Sequence, residues 1–206
     1  MTHSSPFKKR ANAGLMAVCL AVAFCAIGAT WFEAKYSPPA LAKIRQLPDF
    51  KLTERSGAKI QLSDLKGKVW LADLVYTTCP STCPMLGNRL SGLQGEAFKS
   101  DAVRFVSISV NPTHDTPGVL RPYAERFHAE PGKWLFLTGD KTKVAALVND
   151  GFLLTSKDAP DGSQEMVHST KIALVDKNGV IRAYYEGAAG DESQQILRDI
   201  RRLLRE

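Results

Sequence analysis

At 206 residues, 44% hydrophobic and 23% charged, the chain has the length of one ordinary globular domain with a short appendage, and a composition that excludes a disordered chain. Half of its formal net charge of +6 comes from Lys8, Lys9 and Arg10. The remainder is the mild charge of a solvated surface, so nucleic acid is not expected as a partner.

In chain order, residues 1–13 form a basic tail and Gly14 to Phe32 a stretch of nineteen residues without a charge. At ~1.5 Å per residue that stretch spans about the hydrocarbon core of a bilayer, which predicts a transmembrane anchor over 14–32. A cleaved signal peptide is the alternative, but its apolar core is about 7–15 residues, and Trp31, Phe32 and Tyr36 resemble an interfacial belt. Phe24 before Cys25 argues against a lipid-modified cysteine. The basic tail puts the N-terminus in the cytoplasm and everything after Glu33 outside it, in an oxidising compartment. Cys19 and Cys25 are then small hydrophobes within an apolar helix, and Cys79 and Cys83 are left for chemistry.

Residues 33–46, with Pro38 and Pro39, read as a linker, and one domain is expected over 47–206. Val69 to Val75 (VWLADLV) is short and almost continuously apolar, the pattern of a strand buried on both faces. The loop YTTCPSTCP follows, and past Pro84 the spacing of Met85, Leu86, Leu90, Leu93 and Phe98 predicts a helix. Further strands are expected at Val103–Val110, Trp134–Thr138, Thr170–Asp176 and Val180–Glu186, the last two joined by an Asn178-Gly179 hairpin turn. Helices are expected through Leu120 to Phe127, around Val144 to Val148, and over Ile196 to Leu204. Strands alternating with helices, then a hairpin and a closing helix, predict a mixed central sheet flanked by helices, in the order of a thioredoxin-like fold.

Cys79 and Cys83 stand where the first of these strands hands over to a helix. A helix N-terminus lowers thiol pKa, and an i,i+4 pair in a first turn would put both sulfurs on one side, able to meet one ion. A stabilising disulfide is the bland alternative, but so short a loop gains little from closure. Redox motifs of the thioredoxin type carry two residues between their cysteines rather than three. Soft thiolates select Cu(I), and an added imidazole makes a low-coordinate or a Cu(II) site. His3 lies across the expected membrane; His114, His128 and His168 remain. His128 suits a helix C-terminus and His114 a polar surface loop, while His168 (MVHST) opens a strand that a thioredoxin-like fold brings beside the cysteine loop.

TTCPSTCP, with VHST 85 residues beyond Cys83, resembles the motif of the Sco/SenC family, copper chaperones of cytochrome c oxidase assembly. The likeness spans Phe50 to Arg205 and takes in SISVNPTHDTP and FLTG. There Asn111 replaces an acidic residue and His114 an arginine, while Asp115 is kept, as a loop-ordering, partner-contacting or turn-capping residue. The resemblance implies copper, as Cu(I) with Cu(II) as a further state, held by Cys79, Cys83 and His168. It implies as partners the copper-site subunit of cytochrome c oxidase and a copper-donor protein, to which the apolar stretch over 14–32 adds a membrane.

Pro80 and Pro84 stiffen the loop, and the polar stretch Ser156 to Glu165, with its Pro-Asp-Gly turn, sets the third ligand beside a mobile segment. Copper delivery is the first function expected. A thiol-disulfide oxidoreductase working through a reversible Cys79–Cys83 disulfide, reducing the oxidase cysteines before loading, is the alternative. A thiol peroxidase, suggested by Thr77 and Thr78, ranks last because it leaves His168 and Pro84 unexplained. The short basic tail fits a bacterial inner membrane with the domain in the periplasm, and a mitochondrial inner membrane facing the intermembrane space is the alternative.

Overall fold

The run Val69–Val75 is buried along its whole length, as a strand must be when both faces meet apolar layers. It lies inside an eight-stranded sheet in the computed structural model, which describes residues 39–158, 166–187 and 192–206, with the backbone alone for 156–158 and 166–168. The strands are β1 (Arg45–Gln46), β2 (Lys51–Glu54), β3 (Lys59–Gln61), β4 (Val69–Val75), β5 (Val103–Ser109), β6 (Trp134–Thr138), β7 (Ser156–Asp158), β8 (Met166–His168), β9 (Lys171–Val175) and β10 (Val180–Glu186). The helices are α1 (Thr82–Ala97), α2 (Pro117–Glu125), α3 (Lys141–Ala146) and α4 (Ser193–Arg205), with a 3-10 turn at Leu62–Leu65 and a π turn at Leu147–Gly151.

Across the sheet the order is β1-β10-β9-β4-β5-β6-β2-β3, and β7 and β8 form a separate two-stranded sheet. β4, β5 and β6 run parallel. The crossovers between them put α1 and α2 over one face. There Leu86 and Leu90 of α1, Tyr123 of α2 and Ile196 and Ile200 of α4 share a buried cluster with Leu71, Phe105 and Trp134. On the other face Trp70, Leu74 and Ile108 pack against Val144, Leu147 and Phe152.

The expected core strands and their order are present, and β10 joins β9 through Gly179 at a φ of 81°. Three features differ from the expectations. α1 opens at Thr82, ahead of the apolar spacing that begins past Pro84, and so takes in Cys83. The polar stretch from Ser156 begins as strand β7, paired antiparallel with β8, while 159–165 lie outside the described residues. Residues 41–46, counted above with the linker, belong to the unit Leu41–Glu206. β1 extends the sheet on β10, and the buried Arg182 guanidinium donates to the carbonyls of Leu41 and Ala42 as well as to Asp176 and Glu206. The expected anchor at 14–32 lies outside the described residues, among which no helix is long and apolar enough to cross a membrane.

Candidate metal centre

β4 delivers the chain at Val75 to the loop that carries Cys79, and α1 takes it up at Thr82. The cysteines are thus one loop residue and one helix residue, not two members of a first turn as expected. They still meet, for a local reason. A helix begins with N–H groups that lack partners, and the N-cap residue Ser81 makes no side-chain cap bond. Cys79 Sγ takes that place, accepting the Cys83 N–H at 3.3 Å. The Cys79 N–H in turn donates to the Tyr76 carbonyl at 3.1 Å. Neither cysteine is in a disulfide; Cys79 is 9% exposed and Cys83 not at all.

The two sulfurs differ electrostatically. Burial works to raise the Cys79 thiol, but the N–H and thiol of Cys83, the Ser81 N–H and the Tyr76 hydroxyl outweigh it and hold the pKa below the ordinary value. Cys83 is pushed up, first by burial and then by the nearby Cys79 and Asp73, against a single helping contact from the Tyr76 N–H. The two thiols are therefore unequal, Cys79 the more acidic and Cys83 the less.

Beside the loop, Asp115 is buried and gathers four donors. Its Oδ2 accepts from the Thr77 N–H (3.1 Å) and the Ser109 hydroxyl (2.6 Å), and its Oδ1 from the Thr77 hydroxyl (2.6 Å) and His114 Nδ1 (2.9 Å). His114 is half exposed, as expected of a loop histidine, yet tied to the cysteine loop through this carboxylate and through Thr77 Oγ1 at 3.3 Å. His128 is exposed just beyond the end of α2, in the left-handed region at a φ of 51°, a helix-terminating position.

His168 closes β8, opposite Ser156. Three residues on, at Lys171, β9 begins, antiparallel to β4 with Ala72 opposite Ala173 and Trp70 opposite Val175. The start of β9 therefore lies at the end of β4 from which the cysteine loop leaves. Gly187 closes the gap, with its N–H on the Thr170 carbonyl, and a Cβ there would overlap both that carbonyl and Leu86 Cδ2. Thr170, two residues past His168, thus packs within one glycine of Leu86, three residues past Cys83.

Two buried polar groups near the cysteines were not singled out in the sequence. Asp73 on β4 accepts the Ser107 hydroxyl at 2.6 Å, Ser107 accepts Trp134 Nε1–H at 2.9 Å, and Asp73 Oδ2 has no partner. The Tyr123 hydroxyl is likewise buried without one. Asp73 was legible only as one polar residue in an otherwise apolar strand. A cavity of about 810 Å3 lined by Pro48, Phe50, Leu62, Lys66 and Lys143 includes none of the expected site residues.

A mixed sheet sandwiched by helices, with a dithiol at a strand-to-helix junction, defines a thioredoxin-like protein. The SCO1/SenC family model matches residues 40–205, and the chain belongs to that family. A SCO1/SenC family lipoprotein from Bacillus anthracis str. Ames is 31% identical with a TM-score of 0.72, over 82% of this chain and 98% of that one. BsSco, a member of the Sco family of cytochrome c oxidase assembly proteins in which a disulfide switch was identified, is 27% identical with a TM-score of 0.70, over 78% and 94%. Bradyrhizobium japonicum ScoI, solved with copper bound, is 28% identical with a TM-score of 0.67, over 78% and 100%.

Proposed function

We propose that this chain carries one copper ion on Cys79, Cys83 and His168 and delivers it to the binuclear copper site of cytochrome c oxidase, held at the membrane by residues 14–32 with its domain in the periplasm. The observation that supports it most is the Cys79 sulfur seated on the Cys83 N–H at the start of α1, with the strand bearing His168 leading into β9 at the same end of the sheet. Thiolate pairs prefer Cu(I), and an imidazole completes a site that also accepts Cu(II). A relative solved with copper bound supports the same choice of metal. Copper is cargo here, so a ligand on a strand outside the main sheet suits release as well as capture. The partners are the copper-site subunit of the oxidase and a protein that donates copper.

The inequality of the two thiols favours a second reading, in which Cys79 attacks a disulfide on the oxidase subunit and Cys83 resolves the mixed disulfide, leaving a Cys79–Cys83 disulfide and a reduced partner. A peroxidase is disfavoured because the Thr77 hydroxyl is committed to Asp115. The test is copper loading of the oxidase by His168→Ala, Cys79→Ser and Cys83→Ser variants. Loss in all three supports delivery, whereas normal loading by His168→Ala with failure of the cysteine variants transfers the function to thiol exchange. A reporter fused after Glu206 is expected to be active only outside the cytoplasm; cytoplasmic activity overturns the anchor and its orientation.

A further inference from the structure

We propose that Asp115 is a positioning residue for the copper-binding cysteines, acting through the peptide that joins Tyr76 to Thr77; the inference rests on the copper reading above. Asp115 reaches the cysteine loop from the β5–α2 loop and grips Thr77 twice, at its N–H and at its hydroxyl. Its other two contacts, to Ser109 and His114, lie in its own strand and loop. A carboxylate that only capped a turn would need those two and not Thr77.

The grip on Thr77 passes to the sulfurs in one step. A trans peptide points its N–H and its C=O in opposite directions, and no described peptide bond is cis. With the Thr77 N–H fixed on Asp115 Oδ2, the Tyr76 carbonyl is aimed the other way, where it accepts the Cys79 N–H at 3.1 Å. That contact orients Cys79 so that its sulfur meets the Cys83 N–H. Tyr76 also bears on both thiols electrostatically, its hydroxyl and its N–H each lowering the pKa of one of them. Asp115 thus holds the residue that holds both ligands. It is buried with all four contacts made, the His114 Nδ1 hydrogen being a tautomer assigned from the network.

An asparagine at 115 keeps the shape but turns an NH2 group toward two donors. A valine at 77 keeps shape and removes only the hydroxyl. The test uses the full chain, reduced and metal-free, titrated with Cu(I) against a competing chelator, together with the thiolate-to-copper absorption of the Cu(II) form. Asp115→Asn and Thr77→Val are expected to bind copper about ten- to a hundredfold more weakly, the range for residues that orient ligands, and to shift the absorption band. Thr77→Ser, which restores the hydroxyl, is expected to return both to the parent values. Parent affinity and spectrum in Asp115→Asn and Thr77→Val overturn the proposal, as does a Thr77→Ser variant as weak as Thr77→Val. Should Asp115→Asn fail to fold, the Thr77 pair carries the test. If Cys79→Ser binds copper like the parent, the copper reading itself fails; the alkylation rate of Cys79 then decides positioning, and rates unchanged in both variants overturn it.

Discussion

Asp73→Asn is expected to change how stability depends on pH, because Asp73 is a carboxyl group with 1% of its surface exposed and no cation against it. Burial pushes its pKa up to about 7, with the Ser107 hydroxyl opposing. An unfolded aspartate releases its proton near ~3.9. Between these values the folded chain holds a proton that the unfolded chain has lost, so stability is full below pH ~4 and falls as pH rises through about 7. At ~1.4 kcal/mol per pH unit, the loss is about 4 kcal/mol, a large part of the ~5–15 kcal/mol that a domain has. Asparagine is neutral throughout and can still accept the Ser107 hydroxyl, so the variant should lack this fall. Urea unfolding at pH 4.5, 6 and 8 measures it directly, since the difference between parent and variant cancels groups common to both. The variant should gain on the parent by several kcal/mol between pH 4.5 and pH 8. Parallel pH profiles would refute the reasoning and mean that Asp73 has a charge partner or water that keeps it ionised.

His168→Ala should lower copper affinity sharply while leaving the rate at which Cys79 attacks a small disulfide within about twofold, because exchange needs thiolate and access rather than imidazole; a parallel loss of both would contradict the division of roles. Gly187→Ala should push Thr170 away from Leu86 and weaken copper binding along with stability, the latter by about 1–3 kcal/mol; a variant with parent stability and affinity would show that the close approach is dispensable. Arg182→Met leaves the half of Asp176 that faced the guanidinium without its partner and frees the carbonyls of Leu41 and Ala42. A loss of about 3–5 kcal/mol is expected in thermal or urea unfolding, and a loss below 1 kcal/mol would assign the cluster to solvent.

The elements legible in the sequence were those whose residues carry their own signal. Val69–Val75 and Trp134–Thr138 are too apolar and too short to be anything but buried strands, and Asn178-Gly179 fixes the last hairpin locally. β2, β3 and β7 were not legible, because KLTE, KIQ and SKD are polar and depend on partners distant in sequence. Cys79 and Cys83 stood out by spacing and by the proline-flanked loop. Their arrangement did not: the sulfur acting as helix cap replaces a bond that Ser81 was free to make, and only coordinates separate the two. Asp115 was visible as a polar residue in a Pro-bounded loop, but its reach to Thr77 spans 38 positions and leaves no local pattern. Gly187 likewise follows a strand unremarkably, and its need to be glycine comes from Leu86 and Thr170.

Metal analysis of the purified full chain, offered copper and zinc together, tests the copper site most directly. One copper per chain is expected in the parent and none in Cys79→Ser or Cys83→Ser, with X-ray absorption of the parent showing two sulfur ligands and one nitrogen that disappears in His168→Ala. Zinc in place of copper, or copper retained by either cysteine variant, would contradict it.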